Sequence, residues 1–213
     1  MASAIIHLAV ASEMNIILNK DYKSIMIGSI APDIWKQVGE PSKVTSHFKD
    51  YEDAVAPNLD KFLDKYKDML KDDFVLGYYI HLLTDYYWFK YFIPNLYDKD
   101  KSIIKRLDGT KLYLTDDEAG ELIYNDYTNL NVEVIDTYQL RLDIFYEELP
   151  EFKDIISEIP MNKLDVLMEK MGIIIKNSTY DKEYIFDIDL IKNFVEVCIS
   201  GITDNLKKLD IIK

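Results

Sequence analysis

Residues 73–93 read DFVLGYYIHLLTDYYWFKYFI, an almost unbroken apolar run that predicts one long, buried helix. Apolar side chains cover nearly every side of a helix with this sequence, and such a helix belongs at the centre of a bundle. Pro94 follows directly and is predicted to end it. Two polar residues inside the run, His81 and Asp85, need partners, because burying them unsatisfied is costly. We therefore expect a central helix that carries a polar site.

The rest of the chain is predicted to fold around this helix as a single domain. A length of 213 residues suits one domain, residues 1–213, and is long enough to bury a core. A hydrophobic fraction of 48% and an aromatic fraction of 13% indicate a globular protein. Seven glycines and six prolines favour long helices over a turn-rich β protein. The expected fold class is all-α, a single-domain multi-helix bundle.

Hydrophobic spacing and capping residues predict the other helices. Ser3 is placed to cap the first helix, and Thr115 with Glu118 has the pattern of a capping box. The expected helices cover residues 3–18, 59–70, from the Thr115 cap to about 138, 140–158, 161–176 and 188–209, the last capped by Asp187 or Asp189. Residues 36–57 are expected to be irregular, and residues 95–115 to form a hydrophilic connector.

The chain is strongly acidic, with a formal net charge of −13. Its field repels polyanions, so we expect neither nucleic acid nor an anionic membrane as a partner. A small anionic substrate could still bind where a buried cation supplies positive charge. The sequence has no basic leader and no stretch of about 20 apolar residues, so we expect a cytoplasmic protein without integral membrane association.

All three histidines of the chain, His7, His47 and His81, lie in its first 85 residues. Imidazole is the commonest metal ligand, and carboxylates complete sites for zinc and related ions. His81 and Asp85 are four residues apart, so a helix places both on one face. Asp33 follows a proline at a predicted rigid corner, and loop residues such as His47 commonly complete a site built on helices.

These residues predict a metal centre. Asp33, His47, His81 and Asp85 together carry two negative charges and would neutralise a divalent cation. His7 is expected either to bind a second ion that shares an aspartate or to hydrogen-bond to a ligand. Each residue also has an ordinary alternative, since a helical His–Asp pair is commonly a hydrogen-bonded polar pair and a Pro-Asp step is commonly a turn.

Four further residues are candidates for the same site. Glu121 and Asp126 could supply additional metal ligands, or they could lie on a solvated face or pair with a tyrosine. Tyr86 and Trp88, beside Asp85 in the sequence, could line a pocket or pack in the core.

The residues around the proposed ligands occur in four short segments: His7-Leu8-Ala9, Gly28-Ser29-Ile30-Ala31-Pro32-Asp33, Ser46-His47-Phe48 and Gly77-Tyr78-Tyr79-Ile80-His81-Leu82-Leu83-Thr84-Asp85. In order, rough spacing and neighbouring residues, they resemble the zinc-dependent phospholipase C family, which is related to the S1/P1-type nucleases. The resemblance covers about residues 5–90.

The resemblance implies a helical bundle of the zinc-dependent phospholipase C and P1 nuclease type. It also implies one zinc ion held by Asp33, His47, His81 and Asp85, and a neighbouring zinc ion held by His7. Family enzymes carry further histidines and a glutamate after the His–Asp helix, and the secreted members use an N-terminal tryptophan. This chain has no match to those ligands. We therefore expect one or two ions, either zinc or another divalent transition metal.

The function expected from this centre is hydrolysis of a phosphate ester, a phosphodiester or a phosphomonoester, by a metal-activated water. Asp33 is expected to bind the ion and to take the proton of the nucleophile. The substrate would be a small anionic compound that contains phosphate. The alternative is a non-catalytic module in which the ion is structural or regulatory. A third class, the HD-type phosphohydrolases, needs an adjacent His-Asp dipeptide, and none occurs.

Overall fold

The protein is mostly helical, as the sequence predicts. The structure is a computed structural model that describes residues 1–40, 42–152, 154–178 and 185–213. Its α-helices there are α1 (Ala4–Leu18), α2 (Tyr22–Gly28), α3 (Trp35–Val38), α4 (Lys43–Ser46), α5 (Leu59–Tyr66), α6 (Asp73–Tyr87), α7 (Ile93–Leu96), α8 (Asp116–Thr137), α9 (Leu164–Asn177) and α10 (Ile188–Lys208). Short 3₁₀ turns cover Ala31–Ile34, Lys67–Met69, Lys99–Lys101, Asp143–Tyr146 and Met161–Lys163. None of the described helices has the length and apolar character that crossing a membrane requires.

Helix α6 lies at the centre of the fold. Asp72 caps it by accepting hydrogen bonds from the backbone N–H groups of Phe74 and Val75. Every residue from Phe74 to Asp85 is buried. α6 contacts α1, α2, α5 and α10, so its apolar run is covered from several directions. The prediction of a buried central helix is confirmed.

Pro94 does not end this helical stretch, contrary to the prediction. Beyond α6 the chain continues through a wide turn of π geometry, Trp88–Phe92, into α7, where Pro94 is the second residue. A proline is tolerated in the first turn of a helix, because its missing N–H would have no helical partner there. The wide turn separates α6 from α7, so no regular helical hydrogen bond is lost at Pro94.

Two glycines allow α2 and α6 to cross in direct backbone contact. A methyl group on Gly28 would overlap the carbonyl oxygen of Phe74, and one on Gly77 would overlap the carbonyl oxygen of Ile25. Each glycine therefore faces the backbone of the other helix, where no side chain fits. The crossing holds the end of α2 against the middle of α6, where the polar residues lie.

The remaining helices pack around this pair. The predicted caps are present: Ser3 begins α1, Thr115 with Glu118 forms the capping box of α8, and Asp187 caps α10. α1 contacts α2, α6, α8 and α10. α9 packs against the 3₁₀ turn Ala31–Ile34, so it covers one side of the Pro-Asp corner.

The predicted hydrophilic connector contains a small antiparallel sheet that was not predicted from the sequence. Its strands are β1 (Tyr97–Asp98), β2 (Ile103–Lys105) and β3 (Lys111–Tyr113), in the order β1-β2-β3. β2 and β3 are joined by a turn in which Gly109 has a φ of 81°, a conformation that favours glycine. Ile104 of β2 is fully buried and attaches the sheet to the core.

Other helix boundaries also differ from the predictions. The helix predicted over residues 140–158 is not formed in the described residues: a 3₁₀ turn covers Asp143–Tyr146, and an irregular chain follows, where Pro150 disfavours a helix. Lys153, in the same segment, lies outside the described residues. α5 ends at Tyr66 and is followed by a 3₁₀ turn. Residues 36–57, expected to be irregular, contain most of α3 and all of α4.

Candidate metal centre

The five residues expected to form a metal centre come together inside the bundle. They are His7, Asp33, His47, His81 and Asp85, each between 0% and 5% exposed. The Nε2 atom of His47 lies 3.5 Å from Oδ1 of Asp33 and 3.7 Å from Oδ2 of Asp85. The Nε2 atom of His81 lies 3.8 Å from Oδ2 of Asp85, and that of His7 lies 3.4 Å from Oδ1 of Asp85.

Four separate stretches of backbone supply these side chains. His7 lies in the first turn of α1, and Asp33 lies in the 3₁₀ turn that forms the predicted rigid corner. His47 directly follows α4. His81 and Asp85 project from α6 one helical turn apart, as the spacing predicts. Both α6 and the turn Ala31–Ile34 are largely buried, so the side chains that they contribute lie inside the fold.

Hydrogen bonds fix the orientation of two of the imidazoles. The Nδ1 atom of His81 lies 2.7 Å from the backbone oxygen of Ser29. A carbonyl oxygen only accepts, so Nδ1 of His81 carries the proton and Nε2 presents a lone pair to the site. The Nδ1 atom of His47 lies 2.9 Å from the Ser46 hydroxyl oxygen. Metal-binding histidines are characteristically oriented by such a partner on their other ring nitrogen.

The two oriented imidazoles face each other. Their Nε2 atoms are 3.2 Å apart. Two nitrogen lone pairs repel at that distance, so either a proton on His47 or a cation must lie between them. The ring of His7 stacks on that of His81, with centroids 3.8 Å apart and planes 8° from parallel.

Both aspartates leave one oxygen without a hydrogen-bond partner among the described residues. Oδ2 of Asp33 accepts from the Lys36 ammonium at 2.8 Å, whereas Oδ1 has none. Oδ1 of Asp85 accepts from the backbone N–H of Ala2 at 3.0 Å, whereas Oδ2 has none. Both nitrogens of His7 are also without a hydrogen bond there. Buried polar atoms are rarely left so, and a cation would satisfy them together.

The pKa shifts keep the aspartates ionised and two of the histidines neutral. Burial acts to raise the pKa of Asp33, but the charge of the Lys36 ammonium and the nearby His47 ring hold it well below its usual range. The pKa of Asp85 is likewise lowered, because the interactions with His7 outweigh the effect of burial. Burial lowers the pKa of His47 and that of His81. These are the protonation states that a metal ion requires of its ligands.

The other candidate residues lie apart from this cluster. Asp126 is buried on α8, and its Oδ2 accepts the backbone N–H groups of Ile185 at 2.7 Å and Phe186 at 3.2 Å. These hydrogen bonds hold the segment that precedes α10 against α8. Among the described residues, two groups of three histidine or aspartate side chains have converging ligand atoms, and Asp126 belongs to neither. Glu121 is exposed on α8. These placements favour structural and surface roles over metal binding.

Of the two aromatic candidates after Asp85, one lies in the core and the other is partly exposed. Trp88 is fully buried and packs on Phe92 and Phe194, with ring centroids 4.1 Å and 5.0 Å away. Tyr86 is partly buried and contacts Tyr87. Trp88 therefore takes the core role that was the alternative to a pocket.

The groups that orient the proposed ligands were not predicted from the sequence. Lys36 binds Asp33, and the Ser29 carbonyl and Ser46 hydroxyl orient the histidines. Lys36 could have been found, because it follows Asp33 by three residues and a helical turn brings such residues together. A backbone carbonyl such as that of Ser29 carries no signal in its residue type.

Comparisons of this chain with protein-family models, with curated proteins and with solved structures give no match.

Proposed function

We propose that the protein binds a divalent cation through Asp33, His47, His81 and Asp85 and uses it to hydrolyse a phosphate ester. The observation that carries the proposal is the convergence of two unpartnered carboxylate oxygens on two facing Nε2 atoms. Within the cluster, the ligand atoms of Asp33, His47 and His81 lie within 4.8 Å of one another, which suits binding to one ion. We also propose that the helical bundle is of the zinc-dependent phospholipase C and P1 nuclease type.

The donor set favours zinc or a related transition metal. Two imidazole nitrogens and two carboxylate oxygens suit zinc, whereas magnesium and calcium prefer oxygen ligands throughout. The ligand atoms of His7, His81 and Asp85 form a second group within 4.8 Å. A second ion would bind beside the first and share Asp85, whose two carboxylate oxygens can bridge two ions. His81 has one free lone pair and can bind only one of them. His7 is then the additional ligand of the second ion.

A bound ion of this kind would supply a nucleophilic water near neutral pH and polarise the phosphoryl oxygen. The protein's own groups set the protonation around it. Because the Lys36 ammonium keeps the pKa of Asp33 low, the Asp33 carboxylate stays ionised, as a metal ligand must be, and is a weak base. That geometry favours Asp33 as a ligand over its expected role as proton acceptor.

Metal removal and restoration test the proposal. Purified protein loaded with zinc, manganese or cobalt is assayed with a soluble phosphodiester and a soluble phosphomonoester. We expect turnover that EDTA abolishes and that one equivalent of metal restores, because the ion supplies the nucleophile. The Asp33→Asn variant is the matched control for contaminating phosphatases. Turnover that is equal in the variant, or that is unaffected by EDTA, contradicts the proposal.

Complete burial of the ligands favours a second candidate, a structural ion. The five residues are at most 5% exposed, and they join α1, the 3₁₀ corner, the end of α4 and α6. A structural ion would fasten these elements together. In that case EDTA should lower the melting temperature by more than about 10 °C, since such an ion contributes several kcal/mol to folding. Fast exchange of the ion with radioactive zinc in the folded protein would instead support the catalytic role.

A further inference from the structure

Positive charge is concentrated beside the candidate centre of an otherwise acidic chain. Residues 34–49 contain three lysines, Lys36, Lys43 and Lys49, and a single acidic residue, Glu40, whereas the whole chain has a net charge of −13. This segment runs from the Asp33 corner to just beyond His47. The lysines therefore flank two of the proposed ligands.

The three lysines differ in what their ammonium groups contact. Lys36 binds Asp33 at 2.8 Å, and Lys49, which is 7% exposed, donates to the backbone oxygen of Glu52 at 2.7 Å. Lys43 has no hydrogen-bond or ion-pair partner among the described residues, although its side chain is partly buried. Its Nζ atom is not among the buried nitrogen atoms without a partner, so the ammonium group is accessible to water and to an anionic ligand.

Lys43 is placed to act at the proposed metal centre. It opens α4, and its backbone oxygen accepts the N–H of His47 at 3.0 Å, so the two residues are one helical turn apart on the same side. Burial lowers the pKa of Lys43, whereas the charges of Asp85 and Asp33 raise it. The ammonium group therefore lies within electrostatic range of both carboxylates of the centre.

We infer that Lys43 binds the phosphate group of the substrate beside the metal centre, with Lys36 at its more exposed edge. The inference rests on the proposed function, because it names residues that bind the same substrate. A divalent cation balances the charges of Asp33 and Asp85, which leaves the charges of Lys36 and Lys43 without compensation. A phosphate dianion balances both lysines.

The exposure of the residues fits this arrangement. The ligands are buried, but the Lys36 side chain is 38% exposed while it touches Asp33. A phosphate that approaches along Lys36 therefore meets positive charge before it reaches the carboxylates. The field of the whole chain repels polyanions, so local lysines are what would admit a small anion.

Binding of inorganic phosphate to the zinc-loaded protein, measured by isothermal titration calorimetry, tests the inference. The test variant is Lys43→Met, which keeps the apolar stem and removes the charge. We expect its phosphate affinity to fall by about tenfold, as for the loss of one charge-assisted hydrogen bond. Lys105→Met, which removes an exposed lysine from β2, is the matched control and should bind phosphate like wild type.

Further measurements separate the outcomes. Lys43→Arg should restore most of the affinity, and it keeps the test decisive if the methionine variant does not fold. Zinc affinity of Lys43→Met should be no weaker than that of wild type, because a nearby positive charge has been removed. Unchanged phosphate affinity in the variant, or no phosphate binding by the wild type, overturns the inference. Phosphate binding that depends on Lys43, without turnover of any ester, would support the subsite and contradict only the proposed hydrolysis.

Two further ligands in the same experiment show whether the phosphate group belongs to a soluble compound or to a lipid. Glycerol phosphate represents a soluble substrate, and vesicles of phosphatidylcholine with phosphatidic acid represent a lipid headgroup. Loss of affinity in Lys43→Met for either one supports the subsite and identifies the source. Equal binding of both by Lys43→Met and wild type overturns it.

Discussion

Substitution of His81 by alanine is expected to abolish binding of the first metal ion. His81 is the residue that the two groups of converging ligands share, and its Nε2 faces the same atom of His47 at 3.2 Å. We expect metal affinity to fall by at least about 100-fold, more than the loss of a group that only orients a ligand. Elemental analysis after dialysis should show the stoichiometry falling to near zero.

Two variants control for loss of structure in that experiment. His81→Phe keeps an aromatic ring that can stack on His7, and it removes both nitrogens, so it should fold and still lack the metal. His7→Ala leaves Asp33, His47 and Asp85 with His81, and it should keep one ion. A metal content in His81→Phe equal to that of wild type would show that the ion binds elsewhere or that no specific site exists.

Local spacing made part of the candidate site predictable. His81 and Asp85 are on one face of a helix because they are four residues apart, whatever surrounds them. The strongly apolar sequence around them predicted both the helix and its burial. The other proposed ligands, His7, Asp33 and His47, were predicted from their residue types. The chain has only three histidines, and none follows residue 81.

Long-range geometry was not predictable in the same way. The sequence does not show that Ser29 would present its carbonyl to His81, 52 residues away, because every residue has such a carbonyl. It does not show which oxygen of Asp33 is left unpartnered, since that depends on where the Lys36 side chain lies. The positions of the Ser29 carbonyl and of the Lys36 side chain depend on how the helices pack against one another, which the sequence does not show.

Outside the site, the errors have local causes. The strands at residues 97–113 are two or three residues long, too short for alternation of polar and apolar residues to be visible. The Asp108-Gly109 pair was the available signal for a hairpin turn. Pro94 was predicted to end a helix, but it lies in the first turn of α7. A proline there does not disrupt a helix, because the N–H group that it lacks would have no helical partner.

The alternative of an ordinary hydrogen-bonded pair at His81 and Asp85 fits the structure less well than a metal centre does. Such a pair would use the nitrogen of His81 to satisfy Asp85, yet Oδ2 of Asp85 has no hydrogen bond and lies 3.8 Å from Nε2. Nδ1 of His81 instead donates a hydrogen bond to the backbone oxygen of Ser29. A donor that points away from an unpartnered carboxylate is the arrangement expected where a cation joins the two.

Replacing Gly77 by alanine is expected to destabilise the protein by about 3 kcal/mol or more and to weaken metal binding as well. The added methyl group would overlap the carbonyl oxygen of Ile25, which is backbone and has little freedom to move. α2 must then shift from α6, and Ser29, directly after α2, moves away from His81. Urea denaturation measures the first effect, and zinc titration of the folded fraction measures the second.

A matched substitution separates this packing effect from the general preference of helices for alanine. Gly120 lies on α8 with open space around the position of a methyl group, so Gly120→Ala should stabilise the protein by about 0.5–1 kcal/mol. The same chemical change should thus have opposite signs at the two positions. If Gly77→Ala is also neutral or stabilising, α2 and α6 do not cross in backbone contact, and the hydrogen bond that orients His81 loses its structural basis.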